Sequence, residues 1–143
     1  MSQDFDWIQV QGESMWPLLR SGEWVGVNWC ARGERPAIRS GDLVLGRHSD
    51  QVWLVHRLVD LRSSGEGKRE GEFVLKGDAS IMTELLGADQ IWGKVVAIRK
   101  QGEGGRAHRL RTSWLDQFIA RLSRLRLRRT VILLGFLRRS VLK

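Results

Sequence analysis

From Gln51 to Leu61 the side chains alternate. Val52, Leu54, His56 and Leu58 fall on one face of an extended chain, and Trp53, Val55, Arg57 and Val59 fall on the other. That period commits the stretch to a half-buried strand and the chain to a sheet architecture. Shorter apolar runs at residues 7–10, 24–27, 42–47, 72–76 and 91–99 read the same way, and His48-Ser49-Asp50 supplies a hairpin turn. No internal repeat, phosphate-binding glycine loop or apolar run of membrane-spanning length interrupts the pattern. The 143 residues suit one domain of mainly β structure with a modest core.

The charge is unevenly placed. From Arg109 to Lys143 nine Arg and one Lys face the single acid Asp116, an excess of +9, against +8 for the whole chain. Residues 1–108 are therefore nearly neutral, with −1. Gly102, Gly104 and Gly105 separate the two regions, which predicts a domain over 1–100, a linker over 101–112 and a basic helical tail over 113–143. Thr112 or Ser113 is suited to cap the tail helix, whose Leu115, Phe118, Ile119, Leu122 and Leu125 recur at three- and four-residue steps. Arg beside such a face reads as a peripheral contact with an anionic membrane surface, or docking to a partner protein, in preference to nucleic acid. The run from Val131 to Leu137 is too short to span a bilayer. The acidic start at residues 1–6 has neither a leader nor an N-terminal anchor pattern, so a cytoplasmic, membrane-peripheral protein is expected.

Cys30 is the only cysteine, which excludes an intrachain disulfide and a multi-thiolate metal site. No cofactor or metal is expected, and Cys30 reads as structural. Ser14, His56 and Asp78 supply a hydroxyl, an imidazole and a carboxylate, the parts of a nucleophilic hydrolase. Taken alone, His56 reads as a half-buried structural ring and Asp78 as a turn residue. His48 and His108 sit in polar, turn-like stretches and are expected in solvent. Ser14 begins a helical turn over residues 15–19, whose free N–H groups are potential oxyanion donors, Ser14's own N–H first. Gly12 has no hydroxyl to add. Trp7, Trp24 and Trp53 are expected in the core. Met15 and Trp16, beside Ser14, are expected to contact substrate, with Trp16 suited also to a lipid interface.

Five segments in order carry a resemblance. Gly12-Glu13-Ser14-Met15-Trp16-Pro17 resembles the Ser-Met-x-Pro box of type I signal peptidases, and Gly41-Asp42-Leu43-Val44-Leu45 their next strand start. Val55-His56-Arg57-Leu58 resembles the second catalytic box in its His-containing archaeal and endoplasmic-reticulum form. Lys76-Gly77-Asp78 resembles the third box, and Ile91-Trp92-Gly93-Lys94-Val95-Val96 the closing strand. The resemblance implies a signal-peptidase-like fold of coiled antiparallel sheet, and a serine endopeptidase that cleaves a leader or precursor peptide. Ser14 would be nucleophile and His56 general base. Asp78 is the first choice to orient His56. The chain departs from the family in reading Gly77-Asp78-Ala79-Ser80, and Glu84 is the alternative third member. A non-catalytic binding module of the same fold and a nucleic-acid-binding β domain with a basic arm are the rival readings.

Overall fold

The computed structural model describes residues 5–31, 37–49, 51–62, 71–102, 104–125 and 128–141. Residues 1–4, 32–36, 50, 63–70, 103, 126–127 and 142–143 lie outside that description, and with them half of the expected 31–40 loop and nearly all of the expected 62–68 loop. Eight strands form one open antiparallel sheet. They are β1 (Asp6–Gln9), β2 (Trp24–Trp29), β3 (Leu43–Arg47), β4 (Trp53–Arg62), β5 (Glu72–Lys76), β6 (Thr83–Leu86), β7 (Ile91–Arg99) and β8 (Ala107–Arg109). The spatial order is β1-β2-β7-β3-β4-β5-β6, and β8 pairs with the far end of β7. Two helices follow, α1 (Trp114–Arg124) and α2 (Arg128–Val141). The fold is thus mainly β with a C-terminal helical segment.

The alternation in β4 does what its period requires. One face gives Leu58 to a cluster with Val44, Phe73, Leu75, Leu86 and Ile91. Val55, on the other face, packs with Met15, Leu18, Leu19, Val25, Val27, Leu43, Leu45, Val95 and Ile98. Register shifts between Leu58 and Asp60 opposite β5, the irregularity a β-bulge introduces to bend a strand. Val59, the residue at the bulge, joins Val74 of β5 and Ala120 of α1 in a third cluster.

Several expectations meet a different structure. None of the seven Trp is buried. Trp53 and Trp92 meet edge to face with Arg47 over both rings, and Arg99 lies 4.2 Å over Trp7. These rings lie at the sheet surface and pair with cations there, and Trp92 also packs against the core from outside. The expected linker holds β8, with Ala97, Ile98 and Arg99 opposite Arg109, His108 and Ala107. His108 is half-buried in that strand instead of solvated.

The helices are packed onto the sheet, which a detached tail is not. Ser113 caps α1: its hydroxyl accepts from the Asp116 N–H, and the Asp116 carboxylate accepts from the Ser113 N–H. The buried face of α1 is Asp116, Ile119, Ala120 and Ser123, rotated from the all-apolar stripe that the spacing suggests. Phe118 and Leu125 of that stripe are exposed. The rotation has an electrostatic cause: Asp116 is drawn inward to a buried guanidinium described below.

Candidate active site

The Ser14 segment follows β1 through Gly12, which takes φ +88°, a backbone region suited to glycine. Residues 14–18 make a turn, and its helix-type bond spans the expected residues 15–19. Leu19 N–H donates to the Met15 carbonyl and Trp16 N–H to that of Glu13, and Pro17 has no N–H to extend the ladder. Among the described residues nothing accepts from the Ser14 N–H. Met15, Leu18 and Leu19 drive the turn into the core, and Ser14 stays exposed. Met15 is 2% exposed, which removes it from any substrate surface and corrects its expected role. Trp16 is half-buried with its ring edge to face on Phe136.

His56 projects from β4 with its Nε2 3.0 Å from Ser14 Oγ. Its Nδ1 stands 3.4 Å from Glu84 Oε2 on β6. That is a close approach short of hydrogen-bond alignment, for neither atom has a hydrogen-bond partner. The same oxygen lies 3.6 Å from His48 Nε2 at the end of the β3–β4 hairpin, so His48 is not simply solvated. Burial holds the His56 ring below its ordinary pKa and the nearby His48 adds to this. The charges of Glu84 and Asp78 oppose the shift without cancelling it. A neutral ring facing a serine hydroxyl is the protonation state that accepts a proton. With Nε2 as acceptor, Nδ1 carries the hydrogen, on the side of the ring that Glu84 approaches.

Asp78, first choice to orient His56, is engaged elsewhere. Arg57, next to His56 but on the opposite face of β4, grips it with Nε to Oδ1 and Nη2 to Oδ2, both 2.8 Å. Arg57 Nη1 also donates to the Gly41 carbonyl at 2.9 Å and to Asp116 Oδ1 at 3.1 Å. All three side chains are buried. Burial disfavours the guanidinium cation, yet Asp78 and Asp116 outweigh it and hold Arg57 above its ordinary value. Burial would likewise raise the Asp116 carboxyl, but Arg57, Ser113 and Arg138 together hold it below the usual range. Asp78 thereby anchors the turn beneath the serine. Ala79 N–H donates to the Ser14 carbonyl at 2.8 Å, and a Cβ at Gly77 would lie 2.5 Å from that oxygen. Only glycine permits such an approach.

These positions separate the two carboxylates by experiment. Asp78→Asn leaves Arg57 short of a counter-charge in the interior and is expected to cost about 3–5 kcal/mol of stability. Glu84→Gln, at a half-exposed position, should leave the unfolding midpoint near that of the parent and lower turnover by roughly 10²- to 10⁴-fold. It should also shift the acid limb to lower pH, because a charge that opposes the depression of His56 is gone. Denaturant melts and pH–rate profiles of the two variants check both statements. A large stability loss in Glu84→Gln with none in Asp78→Asn would reverse the assignment.

The remaining boxes are structural in what they touch. Asp42 accepts from the Arg39 N–H at 2.9 Å and from Lys94 Nζ at 2.8 Å, and it also meets the Thr112 hydroxyl. Cys30 packs at the edge of a core cluster, and burial pushes its thiol up, which is opposite to a reactive thiolate. Among the described residues no group of three or more His, Cys, Asp or Glu is placed to hold a metal ion. Asp116 and Arg138 escaped the sequence reading. The signal available was that Asp116 is the sole acid among nine Arg, three residues after a capping serine.

Comparison of the chain with protein-family models, with curated proteins and with solved structures finds no match.

Proposed function

We propose that this protein is a serine endopeptidase that cleaves a leader or precursor peptide, with Ser14 as nucleophile and His56 as general base. The observation that carries the reading is the approach of Ser14 Oγ to His56 Nε2 at 3.0 Å with Glu84 behind the ring. In the first step Ser14 Oγ attacks the scissile carbonyl carbon and its proton passes to His56 Nε2. The imidazolium, stabilised by Glu84, then protonates the departing amine as the C–N bond breaks, leaving an acyl-serine. Water, deprotonated by His56, releases the acid and restores the hydroxyl. The Ser14 N–H is the first oxyanion donor. The resemblance of residues 12–17, 55–58 and 76–78 to signal-peptidase boxes supports the same chemistry. Labelling of the full chain with a fluorophosphonate probe, followed by peptide mapping, tests it. Modification at Ser14 is expected, and modification elsewhere or none overturns the reading.

The second part of the proposal is that the helices rest on an anionic membrane surface. Among the described residues no helix is long and apolar enough to cross a membrane. Trp114, Phe118 and Arg121 of α1 and Leu125 at its C-cap recur at four- and three-residue steps and are exposed, Trp114 by 77%. Leu133, Leu137 and Val141 do so on α2. Arg109, Arg111 and Arg129 are exposed too, while the only acid of the region, Asp116, is buried. Apolar side chains among unbalanced Arg suit lipid tails beneath anionic headgroups.

Replacing Trp114, Phe118 and Leu125 by Ser together should leave the fold in place and reduce co-sedimentation with phosphatidylserine liposomes by more than about tenfold. Parental binding should weaken with salt without vanishing. Equal sedimentation of parent and variant would move the basic charge to a protein or nucleic-acid partner.

A further inference from the structure

The C-terminal helices grip the Ser14 segment from two sides. On the first side, α1 places Asp116 on Arg57, Arg57 holds Asp78, and the turn of Asp78 holds the Ser14 carbonyl through Ala79. Arg138 of α2 completes this chain with its Nε 3.1 Å from Asp116 Oδ2. On the second side, α2 touches the serine turn directly. Arg139 Nη1 donates to the Leu18 carbonyl at 2.8 Å and the Pro17 carbonyl at 3.3 Å. Its guanidinium also pairs with Glu23, with Nη2 2.6 Å from Oε1. Glu23 in turn accepts from the Arg20 N–H at 2.9 Å, so both ends of the segment after Ser14 are tied. Gly135 faces the Pro17 ring so closely that a Cβ there would lie 2.9 Å from Pro17 Cδ. Phe136 meets Trp16, two residues from the nucleophile, with ring centroids 4.9 Å apart.

We infer that the two helices are a positioning element for the nucleophile, with Arg139 and Phe136 of α2 setting where Ser14 stands relative to His56. The inference rests on the endopeptidase reading for its kinetic consequence, though not for its structural one. Its physical reason is the turn's own poverty of bonds. Among the described residues the 14–18 turn is closed by two amide bonds, and Pro17 contributes none. Carbonyls left over at Pro17 and Leu18 need donors, and Arg139 Nη1 supplies both while the planar Nη1/Nη2 fork holds the guanidinium on Glu23. Lys does not reproduce that fork. A displacement near 1 Å of a reacting atom costs on the order of 10²-fold in rate. The helices' outer faces remain free for the surface contact proposed above, because the clamp uses their inner faces.

The test uses full-length Phe136→Ala, Arg139→Met and Arg139→Lys with the parent, each followed by fluorophosphonate labelling of Ser14 and by thermal unfolding. The maximal labelling rate should fall by tens-fold in Arg139→Met, with less change in probe affinity and with the acid limb of the pH profile in place, because His56 keeps its surroundings. Arg139→Lys keeps the charge beside Glu23 and should recover only a small part of the rate. Phe136→Ala, at a partly exposed site, should lose roughly tenfold without loss of fold, and it carries the test if Arg139→Met fails to fold. Folded variants that label at the parental rate overturn the inference. If the parent itself does not label, the endopeptidase reading fails, and amide hydrogen exchange over residues 14–19 decides the clamp separately. Faster exchange there in the variants upholds it, and unchanged exchange overturns it.

Discussion

Ser14→Ala is expected to abolish fluorophosphonate labelling and proteolysis while leaving the fold unchanged. Removal of a nucleophile from a Ser-His pair costs on the order of 10⁶-fold in turnover. The structural cost is small because the side chain is exposed and, among the described residues, its hydrogen bond is to His56 Nε2. The backbone role of the residue, accepting from Ala79 N–H, survives the substitution. Comparison of purified parent and variant on a precursor peptide, alongside circular dichroism, measures both quantities. A variant that is folded and processes peptide at the parental rate would end the serine-peptidase proposal.

What the sequence made legible depended on whether a feature was local. β4 and β7 are long enough for their alternation to declare them, and both appear where the pattern places them. β6 gave no such signal. Thr83-Glu84-Leu85-Leu86 lacks a period, and it becomes a strand because Leu75 and Phe73 of β5 lie opposite Glu84 and Leu86. β8 is short and polar and exists through its pairing to β7. The helix start was legible from Ser113, but the side that faces inward was not. That side is chosen by Arg57, buried across the sheet, which needs a second carboxylate and takes Asp116.

The site follows the same division. Ser14 and His56 stand in boxes whose neighbours mark them, and the sheet brings them together. The carboxylates could not be separated in advance, because Asp78 and Glu84 differ only in what lies around them. Alternation along β4 puts His56 and Arg57 on opposite faces, and the strand turn delivers Asp78 to the Arg57 face. Glu84 arrives beside His56 from the strand that the sequence did not declare. The tail, read as an appendage from its charge, is bound to the body through Arg57–Asp116, Arg124–Asp60 and Arg139–Glu23. A charge excess reports what is unbalanced and is silent on which charges are buried in pairs.

His56→Ala should be about as damaging as Ser14→Ala, near 10⁶-fold, because base and nucleophile act as one unit and their losses do not add. In the parent the pH dependence carries the more informative signature. Burial lowers the pKa of His56, and only the neutral ring accepts the Ser14 proton. Activity is therefore expected to hold through neutral pH and to fall only on the acid side of the ordinary His value of 6.5. The sign for stability is the same. Between the depressed value and 6.5 the unfolded chain binds a proton that the folded chain declines, so stability decreases as pH falls through that interval. Glu84 and Asp78 pull the ring's pKa up and His48 pulls it down, so His48→Asn should move the acid limb to higher pH, opposite to Glu84→Gln. Profiles of labelling rate against pH for parent, His48→Asn and Glu84→Gln read the three positions. A flat profile across the acid range, or activity that survives His56→Ala, would mean that the proton of Ser14 goes to another base.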